Sequence, residues 1–401
     1  MRTIVQYILA FCARKILKKF KPIIIGVTGS VGKTTARLCI AHVLKDKYKI
    51  LQNIDNYNTE FGLPLSILGL RASKTKWGWI NVLKEALKKA FKTTQYYEML
   101  ILEMGVDKPG DLKILTDIAR PDISVVTNVE NVHLQFFRSQ DELAHEKATI
   151  IRELKKDGIS FVNFDNDLTK NMKSISRTAD IYTFGFDKKA DIYASDVQNT
   201  VLGLKGIIHD KDLKETVHLP YMIGKHSMYN VLVAWGIATK LGIDKNDIIK
   251  SLKTFKGPQG RMNLIEGINH SIIIDSSYNA EPASMQTAIK TLKDLPQGKR
   301  RIAIIGDMLE LGMKEKELHE DIGKFALKSR LDLLCFVGPR MKFAYDYINK
   351  QSKEYTRGVL YFKDSIEAAE ALPKKIKKDD LILIKGSNGV KMNRILDVIK
   401  K

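Results

Sequence analysis

KPIIIGVTGSVGKTT, Lys21 to Thr35, is an apolar run that closes on a glycine turn and a Gly-Lys-Thr triplet. The apolar part reads as a buried strand, and ARLCIAHVL, Ala36 to Leu44, reads as the helix that follows. In a strand, glycine-rich turn and helix, backbone N–H groups of the turn and the positive end of the helix dipole cradle phosphate oxygens. Lys33 is placed to reach the β- and γ-phosphates and Thr34 to ligate Mg²⁺. Counted from Gly26, the spacing is one residue too long for GxxxxGK[ST], and from Gly29 it is shorter, so the generic pattern fits imperfectly. The bland alternative is a tight turn that happens to hold Gly-Lys-Thr; the flanking strand and helix disfavour it. Gly29, Ser30, Gly32, Lys33, Thr34 and Thr35 are therefore candidate nucleotide-binding positions.

Outward from this stretch the alternation continues. Met99–Leu102, Ile123–Thr127 and Ser160–Asn163 read as strands, with helices at Asp111–Ala119 and around Glu142–Leu154. Strands alternating with helices predict a mostly parallel sheet covered on both faces. From about Ile181 to Leu219 the texture changes to short alternating segments that suggest antiparallel strands. A helix at His226–Leu241 follows, then the polar TFKGPQGRM, Thr254–Met262, which reads as a linker. Beyond it, strands at Ser271–Asp275, Arg301–Gly306, Leu333–Val337 and Leu381–Ile384 alternate with helices at Ala283–Leu292, Glu315–Lys328 and Ser365–Ala371. The fold class is thus α/β: a central phosphate-loop ATPase domain, residues 21–256, then a C-terminal Rossmann-like α/β domain, residues 257–401.

The 401 residues carry a formal net charge of +20. Such a charge attracts nucleic acid, an anionic membrane or acidic substrates. Lys and Glu alternate along most helical stretches and the basic residues are not blocked with aromatics, so nucleic acid is not the expected partner. Cys12, Cys39 and Cys335 are scattered, which builds neither a disulfide framework nor a zinc site and fits a reducing cytoplasm. The apolar part of residues 1–20 is too short to span a bilayer. Ile4, Tyr7, Ile8 and Phe11 recur at helical spacing ahead of Arg14, Lys15, Lys18 and Lys19, which predicts an amphipathic helix. Two readings of it stay open: peripheral contact with an anionic membrane, or packing on the protein's own body or a partner subunit.

The motifs resemble those of the Mur ligases. GSVGKTT is similar to that family's phosphate loop, NIDNYNTEFGLPLSIL (Asn53–Leu68) to its segment after the second strand, and ILEMG (Ile101–Gly105) to a strand end. PDISVVTNVENVHLQFF (Pro121–Phe137) is similar to the stretch with a metal-binding histidine, HEKATII (His145–Ile151) to a helix with a functional lysine, and GKHSMYN (Gly224–Asn230) to GxHxxxN. GRMN, DSSYNAEP and GDMLELG resemble the C-terminal signatures, closest to the branch that adds D-alanyl-D-alanine to a UDP-linked muramoyl tripeptide in peptidoglycan precursor synthesis. The resemblance implies an ATP-dependent amide ligase that uses Mg²⁺. A carboxylate and an amine do not condense unaided at neutral pH; phosphorylating the carboxylate makes an acyl-phosphate that the amine attacks.

The resemblance implies roles residue by residue. Lys33, Glu103, His133 and Lys147 match catalytic positions; Thr34 matches the ligand of a Mg²⁺ on the ATP phosphates, and Glu103 and His133 match ligands of a second Mg²⁺; Lys147 matches a lysine that the family carbamylates. Asn230, Arg261, Asp275, Tyr278 and Asn279 match nucleotide or substrate contacts, with Arg261 reaching the phosphates as the domains close. The expected substrates are an anionic peptide acceptor and D-alanyl-D-alanine or a similar amine. Two departures stand out. About twenty residues precede the first strand, too few for the family's UDP-binding domain, so UDP recognition is expected to be lost, minimal or supplied by another chain. Asn388 stands where the family has arginine after KGS, and an amide cannot replace a bidentate guanidinium. These departures leave two alternatives: a ligase for another acid and amine pair, such as a polyglutamate or another cell-wall peptide, or a non-catalytic ATP-binding scaffold docked through residues 1–20.

Overall fold

The structure, a computed structural model, describes residues 2–54, 56–92, 94, 97–130, 136–175, 180–295, 298–351 and 358–401. The chain divides into two compact units: residues 1–195, 207–216 and 228–252, and residues 196–206, 217–227 and 253–401.

The first unit is built on β1 (Ile23–Thr28), β2 (Ile50–Gln52), β3 (Met99–Glu103), β4 (Ile123–Val126), β5 (Ile159–Asn163), β6 (Asp180–Gly185), β7 (Ile192–Thr200), β8 (Gly203–Asp210) and β9 (Leu213–Leu219). Their order in the sheet is β2-β3-β1-β4-β5-β6-β7-β8-β9. Every pairing from β2 to β7 is parallel. The strands read IIIGVT, MLILE and ISVV, apolar without alternation and buried on both faces, as parallel sheets require. Two-residue turns join β7 to β8 and β8 to β9, the connection of antiparallel hairpins. The antiparallel block therefore begins later than its texture suggested. β6 pairs parallel with β5 over five residues, Ile159↔Asp180 to Asn163↔Phe184, because its sequence, DIYTFG, does not alternate over enough residues to separate the two cases.

Six helices of this unit matter below: α1 (Arg2–Phe20), α2 (Lys33–Leu44), α3 (Gly62–Leu68), α4 (Lys76–Lys92), α5 (Asp111–Ile118) and α6 (Gln140–Lys147). α1 packs on α3 and α4, with Leu9, Cys12 and Ala13 fully buried. Its inner face is part of the core. Deleting residues 1–20 is expected to lower the unfolding free energy by about 4 kcal/mol or more, since each buried large apolar side chain contributes about 1.5–3 kcal/mol. A denaturation midpoint unchanged by the deletion would contradict this packing. α4 escaped the sequence reading because its inward residues include the small Ala86 and Ala90, which give little periodic signal.

The second unit holds β10 (Asn263–Glu266), β11 (Ile272–Ser276), β12 (Arg301–Gly306), β13 (Leu333–Val337), β14 (Gly358–Phe362) and β15 (Leu381–Lys385), ordered β10-β11-β15-β12-β13-β14. Only the edge strand β10 runs antiparallel. In both sheets the polar residues that matter sit at or just past strand carboxyl ends, where open α/β sheets bind ligands.

Candidate active site

The loop between β1 and α2 is held open by its glycines and clamped by the segment after β4. Gly29 has φ 141° and Gly32 φ 89°. A Cβ at Gly29 would collide with Thr127 Oγ1, and it would also lie 3.1 Å from the Asn128 amide nitrogen, so only glycine fits. The Ser30 amide donates to Asn128 O at 2.9 Å, the Val31 amide to Asn128 Oδ1 at 2.8 Å, and Thr127 Oγ1 to Val31 O at 2.6 Å. Lys33 curls over the loop, its Nζ donating to Gly29 O at 2.8 Å and Ser30 O at 3.1 Å. Gly32 caps α2 without a side-chain acceptor, which leaves the helix start shaped for an anion. Thr35 is buried in the first turn of α2. Asn230, buried on the helix Ser227–Lys240, has its Oδ1 3.7 Å from where a Cβ of Gly32 would be. The structure thus gathers Gly29, Ser30, Gly32, Lys33, Thr34, Thr35 and Asn230 around one loop.

Glu103 ends β3 and is buried, not turned to solvent. Its Oε2 accepts from Thr34 Oγ1 at 2.8 Å and its Oε1 from Asn58 Nδ2 at 3.0 Å. Arg37 Nε, also buried, lies 3.9 Å from Oε2. The Asn53 side chain brackets the same residue, accepting from the Glu103 amide and donating to Glu103 O at 3.1 Å. The sequence reading missed Arg37, Asn53 and Asn58. Asn53 and Asn58 fall inside the quoted NIDNYNTEFG, but only the fold shows that they converge on a carboxylate about fifty residues away.

Thr34 and Glu103 offer two adjacent hard oxygen donors, the donor type that Mg²⁺ takes, so the residues present fit that ion. Among the described residues no group of three His, Cys, Asp or Glu side chains could hold a metal ion. His133, expected with Glu103 as a ligand of the second Mg²⁺, lies outside the described residues.

Lys147 ends α6 and is 2% exposed, the reverse of an ordinary solvated helix lysine. Burial, and after it the Lys33 ammonium, pushes its amine down to about 7. A lysine at that value is substantially neutral at cellular pH and nucleophilic.

In the second unit, the Arg261 guanidinium stacks over the Tyr278 ring, 4.3 Å from its centroid. Tyr278 and Asn279 are exposed at the end of β11. Asp275 is fully buried: Oδ2 accepts from the Gly260 amide at 2.8 Å and Oδ1 from Ser277 Oγ at 2.6 Å. Its visible work is to tie the Gly260 turn to β11. Lys385, the lysine of KGS, has no role assigned from sequence; it is buried with Nζ donating to Asn279 O at 2.8 Å, and burial and then Arg261 bring it down to about 8. His319 sits on the charged helix Glu315–Lys328, where sequence gives it no role. It is fully buried, accepting from the Met308 amide at 3.1 Å and bonding Glu315 O at 2.6 Å, and so it holds the GDMLELG loop against its helix.

A glycine loop clamped beneath a helix start, with a cation over it and a buried carboxylate bonded to the following threonine, defines a nucleotide-binding phosphate-loop protein of the α/β class. The chain belongs to the Mur ligase family and is an ATP-dependent ligase: residues 27–238 match the Mur ligase middle domain and residues 260–388 the Mur ligase, glutamate ligase domain. It is 29% identical over 384 residues to the UDP-N-acetylmuramoyl-tripeptide--D-alanyl-D-alanine ligase of Bacillus subtilis, covering 96% of this chain and 77% of that protein. It is 30% identical over 389 residues to the same ligase of Rickettsia prowazekii, covering 93% and 77%. Among solved structures, MurF of Thermotoga maritima in complex with ADP is similar at a TM-score of 0.77 and 29% identity, covering 97% of this chain and 82% of that one. MurF of Acinetobacter baumannii superposes at 0.81 with 24% identity, a likeness of fold. Among the described residues no helix is long and apolar enough to cross a membrane.

Proposed function

We propose that this chain adds D-alanyl-D-alanine, or a closely similar amine, to an anionic muramoyl peptide through an acyl-phosphate. The relatives' names support the substrates. The observation that carries the chemistry is the Thr34–Glu103 hydrogen bond beside a lysine folded over the phosphate loop. In this reading Gly29, Ser30, Gly32, Lys33, Thr34 and Thr35 hold ATP, with Asn230 beside them. Lys33 swings from the loop carbonyls to neutralise the γ-phosphoryl group as it moves to the acceptor carboxylate. Thr34 would hold one Mg²⁺ and Glu103 with His133 a second, and these ions supply charge neutralisation for the transferring phosphoryl group. Arg261, Asp275, Tyr278 and Asn279 are assigned to nucleotide and substrate contact, within family domains spanning 21–256 and 257–401. The reaction belongs in the cytoplasm, with residues 1–20 as a peripheral contact.

Asn388 in place of the family's arginine favours one further reading, in which the amine or acid differs from the relatives'. Phosphate release from ATP with a UDP-muramoyl tripeptide and D-alanyl-D-alanine separates the two. Turnover that needs both substrates is the expected result. Turnover only with other pairs selects the second reading, and ATP binding without turnover under any pair overturns both.

Lys147 is proposed to carry a carbamate: its neutral amine adds to CO₂ and releases one proton, turning a buried cation into an anion. Because the amine loses its proton near 7, carbamate and turnover are expected to rise with pH through about 7 and to fall below it. With ¹³C-bicarbonate, a carbamate resonance that follows this profile and is absent in Lys147→Arg is the expected result; a pH-independent spectrum contradicts it. The same depressed value means that the unfolded chain binds this proton and the folded chain does not between about 7 and the ordinary lysine value, so this group's contribution to stability rises with pH across that window.

A further inference from the structure

α1 and α4 together expose a greasy, basic surface that the acyl-transfer reading leaves without a role. Among the described residues, seven of the seventeen exposed large apolar side chains lie on these two helices. Tyr7 is 73% exposed and Trp77 81%. On α1, Ile4, Tyr7 and Phe11 follow at three- and four-residue steps, and Arg14 and Lys18 continue the same exposed stripe. On α4, Trp77, Ile80, Lys84 and Phe91 lie on one stripe. Lys15 joins the two helices, with its Nζ 3.5 Å from the centroid of the Phe91 ring and 6.0 Å from that of Phe11. The charge is one-sided. α1 carries five basic residues and no acidic one; α4 carries five basic residues and a single acidic one, Glu85. The buried sides of the same helices pack into the protein through Leu9, Cys12, Ala86 and Ala90, so the exposed stripes form a surface of the folded unit and not a loose tail. The sequence reading saw lysines spread over solvated faces. It missed this cluster because α4 itself went unrecognised.

We propose that the α1–α4 face is a docking surface for an anionic lipid bilayer, with the aromatic and aliphatic side chains entering the headgroup boundary and the lysines binding lipid phosphates. Charge complementarity selects this occupant. A second copy of the chain would set this basic face against its own like charge. A nucleic acid would leave Ile4 and Ile80 in water, since aliphatic side chains offer bases no stacking face. An anionic interface satisfies both halves of the surface: lysine stems lie along apolar surface while their ammonium groups reach phosphate, and Trp and Tyr favour the headgroup level. The proposal is independent of the acyl-phosphate reading.

Sedimentation of the full chain with vesicles tests it. The protein is expected to pellet with phosphatidylglycerol–phosphatidylcholine vesicles at low ionic strength, to be released by added salt, and to stay in solution with pure phosphatidylcholine. Each cation near an anionic surface contributes about fivefold in partitioning, so the Lys18→Gln, Lys84→Gln, Lys88→Gln triple variant is expected to bind about a hundredfold more weakly. The Trp77→Ser, Phe91→Ser double variant is expected to lose about tenfold or more. Both sets lie on the exposed face of the two helices, and their unfolding midpoints and phosphate release are expected to stay close to the parent's. Equal pelleting with neutral vesicles, no pelleting with anionic ones, partitioning unmoved by either set, or a loss of self-association or nucleic-acid binding in place of vesicle binding would each overturn the proposal.

Discussion

Lys33→Ala is expected to reduce acceptor-dependent phosphate release by about a thousandfold or more. Removing a single charge-stabilising donor from a phosphoryl or acyl-transfer site costs about 10²–10³ in rate, and cations that act on the transferring group sit at or above the top of that range. The effect should fall on kcat more than on folding. Lys33 Nζ bonds the loop carbonyls Gly29 O and Ser30 O in a partly buried position, whereas Thr127 and Asn128 grip the loop through Ser30 and Val31. An alanine at 33 therefore leaves the Thr127 and Asn128 clamp in place, and the unfolding midpoint should hardly move. Single-turnover phosphate release by the variant, set beside its denaturation curve, checks both halves. Parental rates in a folded Lys33→Ala protein would refute the assignment of the loop.

Glu103→Gln is expected to lower kcat by about a hundredfold and to raise the Mg²⁺ concentration needed for half-maximal rate. The carboxylate receives donors on both oxygens, Thr34 on Oε2 and Asn58 on Oε1, with the Arg37 guanidinium beyond. A glutamine has one oxygen, so its amide group must face a donor whichever way it turns. The loss of negative charge also removes the hard donor opposite Thr34. Titrating Mg²⁺ against initial rate in parent and variant separates these effects from simple misfolding. An unchanged Mg²⁺ requirement would show that Glu103 does not take part in holding the ion.

Elements carried by local pattern were legible in the sequence. β12, β13 and the helices Glu315–Lys328 and Ser365–Ala371 lie where they were expected, to the residue, because buried parallel strands are continuous apolar runs bounded by polar turns. The phosphate loop was legible for the same reason: strand, glycines, lysine and helix are adjacent in the chain. Elements and contacts that depend on distant residues were not. β6 could not be told from the hairpins after it, since its direction is set by pairing with β5. Arg37 and Glu103 are sixty-six positions apart, and nothing local announces that they share a pocket. Nothing local marks His319, on a charged helix, as a buried residue, although its ring bonds the Met308 and Glu315 backbone. Lys147 was found through the family's motif, and its burial, which decides its chemistry, came only with the fold.

The claim on which the account stands is that a carboxylate is phosphorylated before the amine attacks. Turnover with an acceptor whose carboxylate carries ¹⁸O measures this directly. Transfer of one labelled oxygen into the released phosphate is the predicted result. Phosphate that leaves unlabelled, while amide bond formation proceeds, would contradict it.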